Sequence, residues 1–178
     1  GRLLGTFGRM STVSFHETKN FTCGEGGALV LNDRRDVENA HVLLDKGTNR
    51  KQFFDGLVDK YTWKDLGSSF GISDILAAFL VAQLEEADAI QAKRRHVGIR
   101  YRELLEPHAD ELGIRLPYEP ANDRPADHMF YVLLPASVHR AELISRMKAR
   151  GVHPTFHYVP LHSSPAGRKF GSAPEGCP

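Results

Sequence analysis

The apolar positions change period several times along the chain, and each change predicts an element. Thr12 to Phe15 joins β-branched and aromatic residues, and "GALVLN", residues 27 to 32, is a second apolar run. Both predict short strands, the first of them buried. "HETKNFTCGEG" lies between them as a loop. Asp33 then caps a helix through about Lys46, with Val37, Ala40 and Leu44 as its apolar stripe and Gly47 at the left-handed terminator position. "GTNRKQFFDGLVDKYTWKDLGSSFG" has no clean period and predicts a long functional connection, not a packed element. From Ser73 helical spacing takes over. Leu76, Leu80, Leu84, Ala87, Ile90, Val97, Tyr101 and Leu104 recur up to Pro107, with Gly98 as the weak point. Ile75 to Ala82 is apolar all round, which predicts burial on every side, whereas the stretch from Glu85 onward has one wet face. A long helix of this kind suits a link between two domains.

After that helix "LPYEPANDRPAD" is a Pro-rich loop, "MFYVLLP" a strand, Ala141 to Arg150 a helix ended by Gly151, and "VHPTFHYVP" another strand. Strand, helix and strand within about 30 residues make a small α/β layer. Met129, Phe130 and Tyr131 are most simply core residues of it.

Composition narrows the functions. The 178 residues suffice for one ordinary domain or two small ones. Lys plus Arg number 23 against 22 Asp plus Glu, and a net charge of +1 gives no electrostatic case for a nucleic-acid or anionic-membrane partner. Cys23 and Cys177 cannot build a disulfide framework, and they fit a reducing cytoplasm. No apolar run reaches the roughly 20 residues of a membrane span. The first residue is Gly1, and the tail "HSSPAGRKFGSAPEGCP" is made of turn residues with no terminal helix or strand, so a portion of a longer chain is expected.

The candidate chemistry centres on "SFHETKNFTCGEGGALVLND", residues 14 to 33, where one lysine stands between an apolar run and Gly24, Gly26 and Gly27. A lysine that does chemistry must be uncharged part of the time, and burial or nearby cations favour the neutral amine. Such an amine condenses with an aldehyde, as in pyridoxal phosphate enzymes. The glycines let the backbone turn where a Cβ would meet a bound ring or a second strand. Ser14, five residues before Lys19, could give its hydroxyl to a phosphate oxygen. The plain alternative is a solvated lysine beside a turn.

The motif "SFHxTKNxTxGEGG" resembles the signature of the DegT/DnrJ/EryC1 family of pyridoxal-phosphate (PLP) sugar aminotransferases. "KGTNRKQFFDGLVDKYTWKDLGSSF", "SDILAAFLVAQLEEAD", "HMFYVLL" and "FHYVPLHSSPAGRKFG" fit one branch of that family, from about residue 9 to residue 171. The resemblance implies an α/β fragment of a fold-type-I aminotransferase. Residues 1–100 would be the C-terminal part of the PLP-binding large domain, and 101–178 an incomplete small domain joined by the long helix. It makes Lys19 the Schiff-base lysine and Ser14 a phosphate ligand. A partner subunit's loop would bring Ser69 to the phosphate, where the family usually has an asparagine, and Asn49 with Arg50 is suited to a phosphate or a substrate carboxylate. His157 or Tyr158 would touch the substrate.

The implied reaction is ping-pong transamination at C4 of a dTDP-linked 4-keto-6-deoxy sugar. L-glutamate would be the donor, in enterobacterial common antigen synthesis, by a cytoplasmic homodimer with shared active sites. The family's aspartate for the pyridinium nitrogen lies well upstream of the lysine, beyond the 18 residues that precede Lys19. Two alternatives follow: a fragment without activity, or a relative that aminates C3. No metal is expected. His153 and His157 flank Pro154 in an extended run and share no helical face, and alternation puts His157 and Tyr158 on opposite strand faces. Cys23 reads as a small turn residue; Tyr61 and Trp63 could stack on a base or sugar, but aromatics in a long loop are more often packing anchors, and they are left unassigned.

Overall fold

An antiparallel ribbon begins the ordered chain. Strand β1 (Met10–Ser14) pairs with β2 (Gly27–Leu31), with Met10 opposite Leu31 and Ser14 opposite Gly27. The computed structural model describes residues 2–119 and 124–176, so Cys177 lies outside the described residues. Both strands fall where the sequence predicts them, but the expected burial of the first does not follow. Val13 and Leu29 are exposed, because among the described residues no layer covers either of them on this two-stranded ribbon.

Asp33 ends the ribbon's return and starts the helical part. Its carboxylate accepts from the Arg35 amide at 3.0 Å, capping a 3-10 turn (Arg34–Asp36) that runs into α1 (Val37–Leu44). Lys46 and Gly47 then take φ of 57° and 73°, the left-handed stop that Gly47 predicts. The next segment is irregular except for α2 (Arg50–Phe54), a short helix that its sequence does not announce.

Helices α3 (Asp74–Glu85) and α4 (Ala87–Leu105) replace the single long helix, and the break falls at Glu86, not at Gly98. Ser73 caps α3 by accepting from the Leu76 amide at 3.4 Å. Gly98 costs α4 about 1 kcal/mol in propensity, but Arg94 and Arg95 before it bond to Asp127 and Arg102 after it bonds to Pro117. The predicted burial of Ile75 to Ala82 is overturned: Ile75 is 82% exposed, and Phe79 and Val81 also face solvent. Uniform apolarity needs a covering layer on every side, and the described residues cover α3 on one side, where Leu76, Ala77 and Leu80 are half-buried.

The chain divides into two compact units, Gly1–Pro107 with Pro117–Tyr131, and His108–Leu116 with Val132–Pro178. In the first, Phe130 stacks on Tyr101 at 5.3 Å and is half-buried, while Met129 and Tyr131 are exposed and are not core. In the second, α5 (Ala109–Leu112) ends at Gly113, whose φ is 62°. Arg115 and Leu133 exchange both backbone hydrogen bonds, at 3.0 and 2.9 Å. That single bridge is all the pairing "MFYVLLP" makes, so the predicted strand is not formed. The predicted strand "VHPTFHYVP" is also absent: Pro154 and Pro160 have no N–H to give, and Tyr158 at φ 50° leaves the extended region.

Helix α6 (Arg140–Lys148) lies close to its expected place. The tail holds a helix where none is expected. In α7 (Pro165–Phe170) Pro165 sits in the first turn, and the Ser164 hydroxyl accepts from the Gly167 amide at 3.0 Å. No helix among the described residues is long and apolar enough to cross a membrane.

Candidate active site on the lysine hairpin

Lys19 rides on the loop that closes the ribbon. The ladder continues past β1 and β2 through Phe15 N to Gly26 O at 2.8 Å, Cys23 N to Phe15 O at 3.0 Å and Glu17 N to Gly24 O at 2.9 Å. Within that frame the Lys19 amide donates to His16 O at 2.9 Å, which closes a tight turn with Lys19 as its last residue. Its side chain is exposed and has no hydrogen-bond or ion-pair partner among the described residues. The expectation that Lys19 stands beside a buried strand is therefore corrected, for the reason given for the ribbon.

The glycines serve that turn in different ways. Gly24 has φ 84°. A Cβ on Gly26 would lie 2.6 Å from Cys23 Sγ and 3.4 Å from Ile72 Cγ2, and one on Gly27 would lie 3.1 Å from Val13 O on the paired strand. Cys23, 3% exposed, is thus the buried pivot of the loop. Ile72 brings the end of the long connection against the lysine hairpin.

Around Lys19 the polar groups are arranged locally. The Thr18 amide donates to His16 Nδ1 at 3.3 Å, so a neutral His16 carries its hydrogen on Nε2, which lies 3.6 Å from Glu25 Oε1. Ser14 Oγ accepts from the His16 amide at 3.4 Å, which leaves its hydroxyl hydrogen free to donate.

Ser69 and Asn49 belong to a second place, the loop knotted around Gly47. Asp45 and Ser69 form an antiparallel bridge, as do Thr48 and Trp63. A Cβ on Gly47 would lie 1.6 Å from Asp65 O, and one on Gly67 2.1 Å from Gly47 N, so backbone packs on backbone there. Ser69 is exposed. Asn49 is 6% exposed, and its amide is used inside the loop: Nδ2 donates to Gln52 Oε1 at 3.0 Å, and Oδ1 accepts from the Thr62 amide at 2.7 Å. Arg50 reaches Asp45 Oδ2 at 3.5 Å and lies over the Phe54 ring.

His157 and Tyr158 belong to the second unit. Their rings meet edge to face at 4.7 Å instead of pointing to opposite faces, because alternation needs extended backbone and Tyr158 is left-handed.

Every residue from 1 to 178 matches the model of the DegT/DnrJ/EryC1/StrS aminotransferase family. The chain belongs to that family. It is 29% identical to dTDP-4-dehydro-2,3,6-trideoxy-D-glucose 4-aminotransferase of Saccharopolyspora spinosa, covering 99% of this chain and 47% of the relative. It is 31% identical to dTDP-3-amino-3,4,6-trideoxy-alpha-D-glucose transaminase of Streptomyces venezuelae, over 93% of this chain and 40% of the relative. The aminotransferase TlmJ from Streptoalloteichus hindustanus superposes with a TM-score of 0.81 at 30% identity, over 98% of this chain and 45% of that one. The chain therefore spans less than half the length of these relatives, and over that span its fold is that of the fold-type-I sugar aminotransferases.

Of the groups that would hold the family's PLP, this chain offers an amine without a partner among the described residues at Lys19 and a free hydroxyl hydrogen at Ser14, but not the burial that would favour a neutral amine, since Lys19 is exposed.

Sequence reasoning misses the residue next to Lys19. The Asn20 side chain crosses to α4 and to residues 126–128, more than 100 positions away, and no local pattern signals such a contact.

Proposed function

We propose that this chain is the lysine-bearing portion of a PLP-dependent aminotransferase acting on a nucleotide-linked keto sugar. The observation that carries the proposal is a single one: an unpartnered lysine is presented on a glycine-shaped hairpin loop in a chain that matches the aminotransferase family throughout. When bound, the cofactor supplies an aldehyde carbon and a ring that accepts electrons. Lys19 would be the residue that holds the cofactor, and its free amine would accept and return the proton that substrate carbon loses, so one amine would serve as both anchor and base. Ser14 would give its hydroxyl hydrogen to the phosphate, and Ser69 a second donor across a homodimer interface. In the second unit, His157 or Tyr158 would touch the substrate; in the first, Asn49 shapes the loop that carries Ser69.

The narrower proposal is dTDP-4-amino-4,6-dideoxygalactose transaminase. It would transfer the amine of L-glutamate to C4 of dTDP-4-keto-6-deoxyglucose, in cytoplasmic synthesis of enterobacterial common antigen. The branch-specific "KGTNRKQFFDGLVDKYTWKDLGSSF" and "FHYVPLHSSPAGRKFG" support it. A C3 amination is the second reading, because one relative is named for a 4-amino transfer and another for a 3-amino sugar.

The test uses the full-length enzyme that carries this chain. Cofactor added to it should give a visible absorbance that borohydride bleaches, with the label on the peptide that contains Lys19. Lys19→Ala should lose the label and at least about 1,000-fold in turnover, since nucleophile and base vanish together. An unchanged spectrum in that variant refutes the role of Lys19. Analysis of the aminated sugar separates C4 from C3.

A further inference from the structure

Asn20 stands one position after Lys19, and all of its side-chain hydrogen-bonding groups are engaged far along the chain. Nδ2 donates to Gln91 Oε1 at 2.9 Å and to the Ala126 carbonyl at 2.5 Å. With Nδ2 committed as donor, Oδ1 is the acceptor, and His128 Nδ1, 2.8 Å from it, carries the hydrogen. Gln91 completes the ring by donating through Nε2 to the same Ala126 carbonyl at 3.0 Å.

Residues 126–128 are themselves held from behind by α4. Arg94 donates to the carbonyls of Asp127 at 3.2 Å and His128 at 2.9 Å, and Arg95 Nη1 meets Asp127 Oδ1 at 3.1 Å. Gln91, Arg94 and Arg95 share one side of α4 by their three- and four-residue spacing. Asp127 sits at φ 46°, a conformation that costs a non-glycine residue and persists only where surroundings over-determine it. All three consecutive carbonyls from Ala126 to His128 thus receive a side-chain donor, and Asn20 is the one donor that comes from the lysine loop.

We infer that Asn20 is the positioning residue of the lysine loop: it fastens the backbone next to Lys19 to a rigid clamp made by α4 and residues 126–128. This rests on the role of Lys19 proposed above and extends it. The turn from His16 to Lys19 is fixed on one side by the hairpin ladder, and its far side has Asn20 as its anchor. An amine that must reach one carbon and then move a proton loses rate steeply when its mounting shifts by an ångström.

The test again uses the full-length enzyme. In Asn20→Ala, borohydride should still fix the cofactor on Lys19, while kcat falls about 10- to 100-fold with KM for the sugar nearly unchanged. Amide exchange at Lys19 in the cofactor-free protein should accelerate by about 10-fold or more, a readout independent of turnover. Asn20→Asp keeps the acceptor for His128 and loses both donors, so it should fall between wild type and Asn20→Ala. If Asn20→Ala does not fold, Gln91→Leu replaces it, with an expected kcat loss of about 5-fold. A folded variant with Lys19 labelled, kcat unchanged and exchange unchanged overturns the inference. Label on a different lysine in the unsubstituted enzyme overturns the functional reading instead, before any variant is made, and removes this inference with it.

Discussion

Replacing Asn49 by alanine should loosen the segment from Thr62 to Asp65 before it unfolds anything else. The native amide makes two side-chain hydrogen bonds, to Gln52 at 3.0 Å and from the Thr62 amide at 2.7 Å, in a residue only 6% exposed. Each is worth about 1 kcal/mol net. Thr62 is exposed, so water can take over its freed N–H and little further penalty is added. The loss is therefore about 2 kcal/mol, which multiplies the open population of the loop roughly 30-fold. The amides of Lys64 and Asp65 report that opening, because both donate to the Gly47 carbonyl, at 2.7 and 3.0 Å. Native-state hydrogen exchange should show both accelerating by about that factor, and Asn49→Asp, which keeps the acceptor for Thr62, by about 5-fold. Exchange within about 2-fold of wild type would refute the reasoning. If cofactor affinity fell instead with exchange unchanged, Asn49 would be a ligand of the cofactor and not the fastening of its own loop.

Two further outcomes follow from the geometry. Gly47→Ala should cost more than about 3 kcal/mol, seen as a loss of cooperative thermal unfolding, because its Cβ would lie 1.6 Å from Asp65 O in a backbone already at φ 73°; a variant that melts like wild type would show that the knot around Gly47 is not packed as described. Glu119 is held below the ordinary value of 4.5 chiefly by its hydrogen bond from Arg95, with Arg102 adding to it. A carboxylate depressed in the folded state contributes stability above its unfolded value and loses it as pH falls from about 4.5 through the lowered one. Glu119→Gln should therefore flatten the acid limb of melting temperature against pH below that value, by a modest amount because the pair is partly solvated; an identical acid limb in both proteins would exclude the contribution.

Local chemistry made much of this protein legible without coordinates. The apolar runs at Thr12 and Ala28, the cap at Asp33, the stop at Gly47 and the lysine between its glycines all depend on neighbours a few residues away, so their types and spacing carry the information. The same holds for the family motif, whose residues lie on one hairpin. Sequence alone failed where an element depends on what lies against it. Ile75 to Ala82 has the pattern of a buried helix and is exposed, because burial is a property of the covering layer and not of the helix. "MFYVLLP" and "VHPTFHYVP" have strand composition, but a strand needs a partner backbone, which among the described residues the first has at one residue and the second not at all. Gly98 marks the propensity minimum of a helix that breaks instead at Glu86, since hydrogen bonds from its arginines outweigh a cost of about 1 kcal/mol. Asn20 is the sharpest case. One position from the most recognisable residue of the chain, it is joined to His128 across 108 positions, and only the folded backbone brings the two within reach.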